Sequence, residues 1–247
     1  RGTHTYLYDP GVMDWTKVIR MPTTMKKGKY DVCLSSSDHG VVAWAPKSSG
    51  GYGLFLFDGT TMNWKLLQMT GAALQGPWTD ESGMVYDRKR DRMIILNFHK
   101  APGKACAYDF KTKKHADLNV GNPEKLTFSK KVRSSLRVRE AVYMPTQDMV
   151  FLQTLVGGGK HLTYDCAANQ WKTKSVSVKG ASLQKITTIS AGFAYDPRRD
   201  LIWNVEQYGD VYALRLSGGK GPTRKLPSAP VPVVKSPGKI PGFRITS

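Results

Sequence analysis

An all-β fold, a β-propeller of four-stranded antiparallel blades, is expected for this chain of 247 residues. Its apolar runs are short, rich in β-branched and aromatic residues, and bounded by Gly, Asp and Pro, which is typical of strands. No long segment shows the 3.6-residue period of a helix. An internal repeat of about 50 residues has the length of a propeller blade, whereas a β-sandwich needs no such period.

The repeat is clearest as an aromatic-Asp pair followed, six positions after the Asp, by a second ring. The pairs begin at Tyr8, Phe57, Tyr108 and Tyr164, and the later rings are Trp15, Trp64, His115 and Trp171. The Asp residues are 49, 51 and 56 positions apart. We expect these rings to pack between adjacent sheets, and the Asp residues to accept backbone N–H groups in hairpin turns.

Each unit divides into four strands, A to D, which in one unit cover 84–86, 93–96, 105–109 and 115–118. The units are expected near 3–21 (strands C and D only), 30–69, 82–120, 138–178 and 190–226. They give about five blades in a propeller domain over 1–226. A larger ring of six or seven blades would take its further blades from an upstream segment or a partner chain. Residues 227–247 are basic and rich in Pro, which predicts an extended tail.

The chain resembles the kelch or galactose-oxidase-like propellers. The resemblance lies in the Tyr or Phe of strand C, the Trp that begins strand D, and glycine clusters between strands B and C. These clusters are Gly50-Gly51 and Gly157-Gly158-Gly159. It covers the chain up to about Leu226 and implies a kelch-like repeat propeller.

Charge gives the main indication of function. The chain has 37 Lys and Arg against 19 Asp and Glu, a formal charge of +18, and such a field attracts polyanions. In a propeller the B–C and D–A loops lie at one end, and the A–B and C–D turns at the other. The predicted loops carry a net charge of +11 and the predicted turns −2. One face is therefore expected to be basic.

Basic residues and rings are interleaved on that face. The predicted ligand-binding residues are Lys26, Lys27, Lys29, Lys47, Trp78, Lys100, Lys104, Lys130, Lys131, Arg133 and Lys160. An anionic polysaccharide suits them best, because its acidic groups pair with Lys and Arg while its sugar faces lie on the rings. Single-stranded nucleic acid would use similar groups. A protein-protein interaction scaffold with an acidic partner is a further alternative.

An enzyme remains a second possibility, namely a propeller polysaccharide lyase that acts by β-elimination on a uronate-containing glycan. That reaction needs a base, an acid and a cation near the carboxylate. The residues that could supply them are His99, His161, Tyr52, Tyr208 and Arg137. The sequence contains no phosphate loop and no nucleophile elbow.

No cofactor and no metal site are expected, because the five His are scattered and the three Cys have no CxxC spacing. Cys33, Cys106 and Cys166 are expected to be buried thiols. No apolar run reaches the ~20 residues of a membrane-spanning helix. The sequence does not fix the compartment, although a glycan-binding role favours an extracellular or periplasmic one.

Overall fold

A computed structural model describes residues 4–9, 11–26, 33–71, 82–97, 103–126, 141–156, 160–175, 190–206 and 211–216. The chain divides into two compact units, Arg1–Ser217 and Gly218–Ser247. Every described residue belongs to the first unit. The predicted tail over 227–247 and the predicted last strand near 223–226 lie outside the described residues.

The described residues form seventeen strands in five antiparallel sheets. The first sheet has two strands, β1 (His4–Asp9) and β2 (Asp14–Arg20). Three four-stranded sheets follow: β3 (Cys33–Ser37), β4 (Gly40–Pro46), β5 (Tyr52–Asp58) and β6 (Asn63–Leu66); β7 (Ser82–Asp87), β8 (Arg92–Asn97), β9 (Lys104–Asp109) and β10 (His115–Asp117); β11 (Ala141–Met144), β12 (Met149–Val156), β13 (Lys160–Asp165) and β14 (Gln170–Lys174). The last has three, β15 (Ser190–Asp196), β16 (Leu201–Glu206) and β17 (Val211–Leu214).

The arrangement of these sheets is that of a β-propeller. Within each sheet the strands follow one another in chain order. The first strands of successive sheets, β3, β7, β11 and β15, contact one another, so they are the inner strands of neighbouring blades. Both the all-β prediction and the four-stranded blade are confirmed.

The aromatic-Asp repeat forms the hairpin turns. Asp58 and Asp165 each accept two backbone N–H groups through Oδ1, at 2.9 to 3.1 Å, as predicted. The fifth residue after the aromatic ring has a left-handed φ of 50 to 57° in seven hairpins. This position is occupied by Met13, Met62, Asp91, Lys113, Asp148, Asn169 and Asp200.

The core lies between the sheets. Separate apolar clusters join β3–β6 to β7–β10, β7–β10 to β11–β14, and β11–β14 to β15–β17. Trp171 packs between two sheets as predicted, and its Nε1 donates to the Gly103 carbonyl at 2.8 Å. His115 takes the Trp position of its own sheet, and its Nε2 lies 3.2 Å from the Cys106 Sγ.

The connections that follow the D strands differ from the expected simple loops, because their first part covers the outer strand of the next sheet. Gly121 forms a parallel bridge with Gln170 of β14. Glu124 accepts hydrogen bonds from the Thr173 backbone N–H and hydroxyl at 3.1 and 2.7 Å. At the equivalent crossing, a Cβ on Gly71 would lie 2.5 Å from the His115 carbonyl oxygen, so only glycine fits there. These segments protect edge strands from pairing with other chains.

Candidate functional site

The two ends of the propeller differ in how they use charge. We call the end formed by the A–B and C–D turns the hairpin face; its turns are 10–13, 38–39, 59–62, 88–91, 110–114, 145–148, 166–169 and 197–200. All of these residues except Pro10 are described. We call the opposite end the loop face; its described part includes 26, 47–51, 103 and 160.

On the hairpin face, a side chain from each of the first three A–B turns reaches an Asp in the A–B turn of the next sheet. His39 Nε2 lies 2.7 Å from Asp91 Oδ1. Arg90 donates to both carboxylate oxygens of Asp148 at 2.8 Å. Gln147 donates to Asp200 at 3.2 to 3.3 Å. The acceptor is always the residue with left-handed φ, and the donor directly precedes that position in its own sheet.

Each of these Asp residues is also held within its own sheet by a Tyr five positions earlier. The hydroxyls of Tyr86, Tyr143 and Tyr195 donate to the Asp carboxylates at 2.8, 3.0 and 2.8 Å. The hydrogen bond from Arg90 holds the pKa of Asp148 well below its usual value, despite partial burial. Burial raises the pKa of Asp91, but hydrogen bonds from His39 and Tyr86 outweigh it and the net shift is downward.

The basic residues of the second A–B turn, 88–91, form ion pairs within this network. Asp87 is fully buried and accepts from Arg90 at 3.1 Å and from Arg92 at 2.9 Å. Lys89 lies 3.2 Å from Asp148, and Arg88 pairs with Asp38 of the preceding sheet. The turn therefore joins three sheets through charge-assisted hydrogen bonds.

Four of the predicted ligand-binding lysines lie in the described part of the loop face. The backbone N–H of Lys26 donates to the Pro46 carbonyl at 2.8 Å, which sets Lys26 beside Lys47. Lys104 and Lys160 are the first residues of β9 and β13, so they hold the same repeat position in neighbouring sheets. Lys26, Lys104 and Lys160 are exposed, and Lys47 is half-buried.

Among the described residues, no carboxylate forms an ion pair with any of these four lysines. A cleft of about 180 Å³ beside Lys104 is also lined by Asp117 and Asn119. Because this cleft mixes both signs of charge, it does not favour a small anion. The four lysines instead present separate positive charges on an open surface.

Two predicted catalytic residues lie in the described part of the chain. His161 is buried beside Phe151, at a ring-centroid distance of 4.8 Å, and its Nδ1 lies 3.3 Å from the Leu152 carbonyl oxygen. Burial lowers the pKa of His161. Tyr52 stacks on Trp44 at 5.7 Å and pairs with Pro46 across the strands. His161 thus belongs to the interior, and the half-buried Tyr52 packs against the core cluster that contains Trp44.

The other predicted site residues lie outside the described residues. They are Lys27, Lys29, Trp78, Lys100, Lys130, Lys131 and Arg133 of the ligand-binding set, and His99, Tyr208 and Arg137 of the lyase set.

The described residues include no group of three His, Cys, Asp or Glu side chains placed to hold a metal ion. Cys106 and Cys166 are buried thiols and Cys33 is half-buried; burial raises the pKa of Cys166 to about 12. No helix long and apolar enough to cross a bilayer occurs in the part of the chain that the structure describes.

Comparisons with known proteins give weak likenesses only. No protein-family model matches the chain, and no curated protein matches its sequence. Among solved structures it is similar to TolB from Acinetobacter baumannii (14% identity, 87% of this chain and 49% of that one, TM-score 0.44). It is also similar to YCF48 bound to D1 peptide (12%, 90% and 63%, TM-score 0.44) and to the Malassezia sympodialis allergen Mala s 1 (12%, 76% and 56%, TM-score 0.46).

The chain thus spans less than two thirds of the length of these structures. Because every TM-score is below 0.5, the propeller assignment rests on the strand order and on the contacts between inner strands. The kelch resemblance has no support from a family model.

Proposed function

We propose that this protein is a non-catalytic interaction propeller whose loop face binds an acidic partner, in particular an anionic polysaccharide. One observation carries the proposal. The cations of the second A–B turn are paired with carboxylates on the hairpin face, whereas the four described lysines of the loop face have no such partner within the described residues. Unpaired cations retain their attraction for an external anion. Lys111, Lys113 and Lys114 of one C–D turn are also exposed and outside any ion pair among the described residues, but they lie at the end whose turns sum to −2, whereas the loops sum to +11.

The distribution of charge along the sequence also favours the loop face as the binding surface. The loops that join strands B to C and D to A contain most of the basic excess, a net +11. The Lys47 side chain lies over Gly53, whereas the ring of the neighbouring Tyr52 stacks on Trp44. Separate exposed cations suit a polyanion, because each can pair with a carboxylate or sulfate group.

Binding should be measured by salt-dependent retention on heparin and by titration with heparin and alginate. The test variant carries Lys26→Gln, Lys104→Gln and Lys160→Gln. The matched control carries Lys65→Gln, Lys111→Gln and Lys114→Gln, three exposed lysines of β6 and of the C–D turn before β10. Both variants lose the same charge.

We expect the loop-face variant to bind roughly 10- to 100-fold more weakly, at about 1 kcal/mol per lysine that contacts an anionic surface, and to show a shallower salt dependence. The control should elute close to the wild type. Equal losses in both variants would show a general charge effect and refute the proposed site. Strong binding to polyglutamate without binding to either glycan would favour an acidic protein partner. A new absorbance near 235 nm with alginate would identify a lyase instead.

A further inference from the structure

Successive sheets meet through two kinds of face. The trailing face of a sheet packs on the sheet that follows in the chain, and the leading face packs on the one that precedes. At the centre of the trailing face stands one residue of strand B: Val42, Ile94 or Phe151. All three are 0% exposed, because the leading face of the next sheet covers them.

The last described sheet exposes its trailing face. Trp203 of β16 holds the position of Ile94 and Phe151, yet it is 36% exposed. Its cross-strand neighbours are Ala194 and Ala213, which are also exposed. A large ring between two small residues thus lies open on a face that is buried in every preceding four-stranded sheet.

The first described sheet exposes its leading face. Tyr8 and Trp15 are 46% and 54% exposed, whereas their equivalents Tyr164 and Trp171 are 0% and 1% exposed. The Tyr8 and Trp15 rings contact each other at 5.4 Å, so they form one aromatic surface. Since both faces are exposed, the described strands β1–β2 and β15–β17 do not bury each other's rings.

Charged residues of the hairpin face also differ between the trailing end and the leading end. Arg199 corresponds to Arg90, and each pairs with an Asp three positions earlier in its own turn. Arg90 also reaches the next sheet through Asp148, but Arg199 has no second carboxylate among the described residues. At the other end of the series, Asp14 is exposed beside Trp15. Arg199 therefore keeps donors for a second carboxylate, as Arg90 has, and the leading end carries a carboxylate in Asp14.

We infer that two copies of this chain associate head to tail, with the trailing face of β15–β17 of one copy on the leading face of β1–β2 of the other. Faces of these two kinds pack on each other wherever four-stranded sheets follow one another in the molecule, so the exposed pair is complementary by the same rule. Such a contact is heterologous, because it uses two different surfaces of the chain. Exposed apolar patches of this kind are typical interaction sites.

The test uses two variants, each of which blocks one face: Trp203→Lys and Trp15→Glu. Sedimentation velocity over a wide concentration range should show self-association of the wild type. Each variant alone should associate at least about 30-fold more weakly than the wild type, as expected for loss of a Trp anchor. A mixture of the two should form a dimer with one copy of each, because the Trp203→Lys chain keeps its leading face and the Trp15→Glu chain keeps its trailing face.

Leu66→Lys is the matched control, since Leu66 is an equally exposed apolar residue of β6; it should associate like the wild type. Circular dichroism and thermal melting test whether each variant is folded. If a charged variant is unfolded, Trp203→Ser or Trp15→Ser takes its place. A wild type that stays monomeric at every concentration overturns the inference. So does a mixture that stays monomeric, or a single variant that still associates like the wild type.

Discussion

The second A–B turn of the hairpin face and the described lysines of the loop face use positive charge in opposite ways. On the hairpin face, Arg90 connects Asp87 of its own sheet with Asp148 of the next. On the loop face, Lys104 and Lys160 stand at equivalent strand ends, exposed and outside any ion pair among the described residues, although Glu124 interacts with Lys160 at longer range. A positive charge therefore indicates a ligand site only when the fold has not already paired it.

Among substitutions that test this contrast, the largest effect is expected on stability, from removing an ion pair at the hairpin face. Arg90→Ala removes a donor from Asp87 and Asp148, both of which are largely buried. We expect a loss of about 1 to 3 kcal/mol in the free energy of unfolding, the usual range for hydrogen bonds to charged groups, because Arg92 still pairs with Asp87 and Lys89 with Asp148. Urea unfolding measures this. A change below ~0.5 kcal/mol would show that the network does not hold the sheets together.

Acid should weaken the same face. The pKa values of Asp91, Asp148 and Asp165 are lowered by their hydrogen bonds. Because these folded-state values lie below the unfolded value of ~3.9, their stabilisation is fully present above that pH and is lost as the pH falls toward the folded values. The free energy of unfolding should thus decline from about pH 5 downward. Asp148→Asn should flatten this decline; an unchanged slope would contradict the assignment.

A neutral contact of the same network should matter less. Gln147 donates to Asp200 across the third and fourth sheets, but it carries no charge. Gln147→Ala should therefore cost about 1 kcal/mol, the usual net value of a hydrogen bond. Thermal and urea unfolding, compared with Arg90→Ala, would rank the two contacts. A cost equal to that of Arg90→Ala would mean that charge is unimportant at this end.

The smallest effect on stability is expected at the loop face. The combined Lys26→Gln, Lys104→Gln and Lys160→Gln variant should change the free energy of unfolding by no more than ~0.5 kcal/mol, as is usual for exposed side chains. The same variant is the one expected to lose polyanion binding. A large destabilisation would show that these lysines have structural partners.

The local repeat was sufficient to predict the blades. Strand B of one unit was expected at 93–96 and covers Arg92–Asn97, because apolar alternation and turn residues are encoded locally. The side-chain contacts between A–B turns of neighbouring sheets were missed, since their partners are 50 to 59 positions apart. The available signal was periodic: an Asp stands five positions after the strand A Tyr in three units, at Asp91, Asp148 and Asp200.

His161 shows why a site residue is harder to predict than a strand. It follows Lys160 at the start of β13, where Lys160 is exposed and the next four residues are all buried. The border between loop face and core therefore falls between two consecutive residues. Sequence alone did not fix that boundary. The residue was therefore grouped with the catalytic set although its ring packs against Phe151.

The difference between the two faces can be measured directly by acetylating lysines in the presence and absence of heparin and reading each site by mass spectrometry. We predict that heparin protects Lys26, Lys104 and Lys160 while leaving Lys65, Lys111 and Lys114 as reactive as before. Equal protection of both groups, or protection of the hairpin-face lysines alone, would contradict the account.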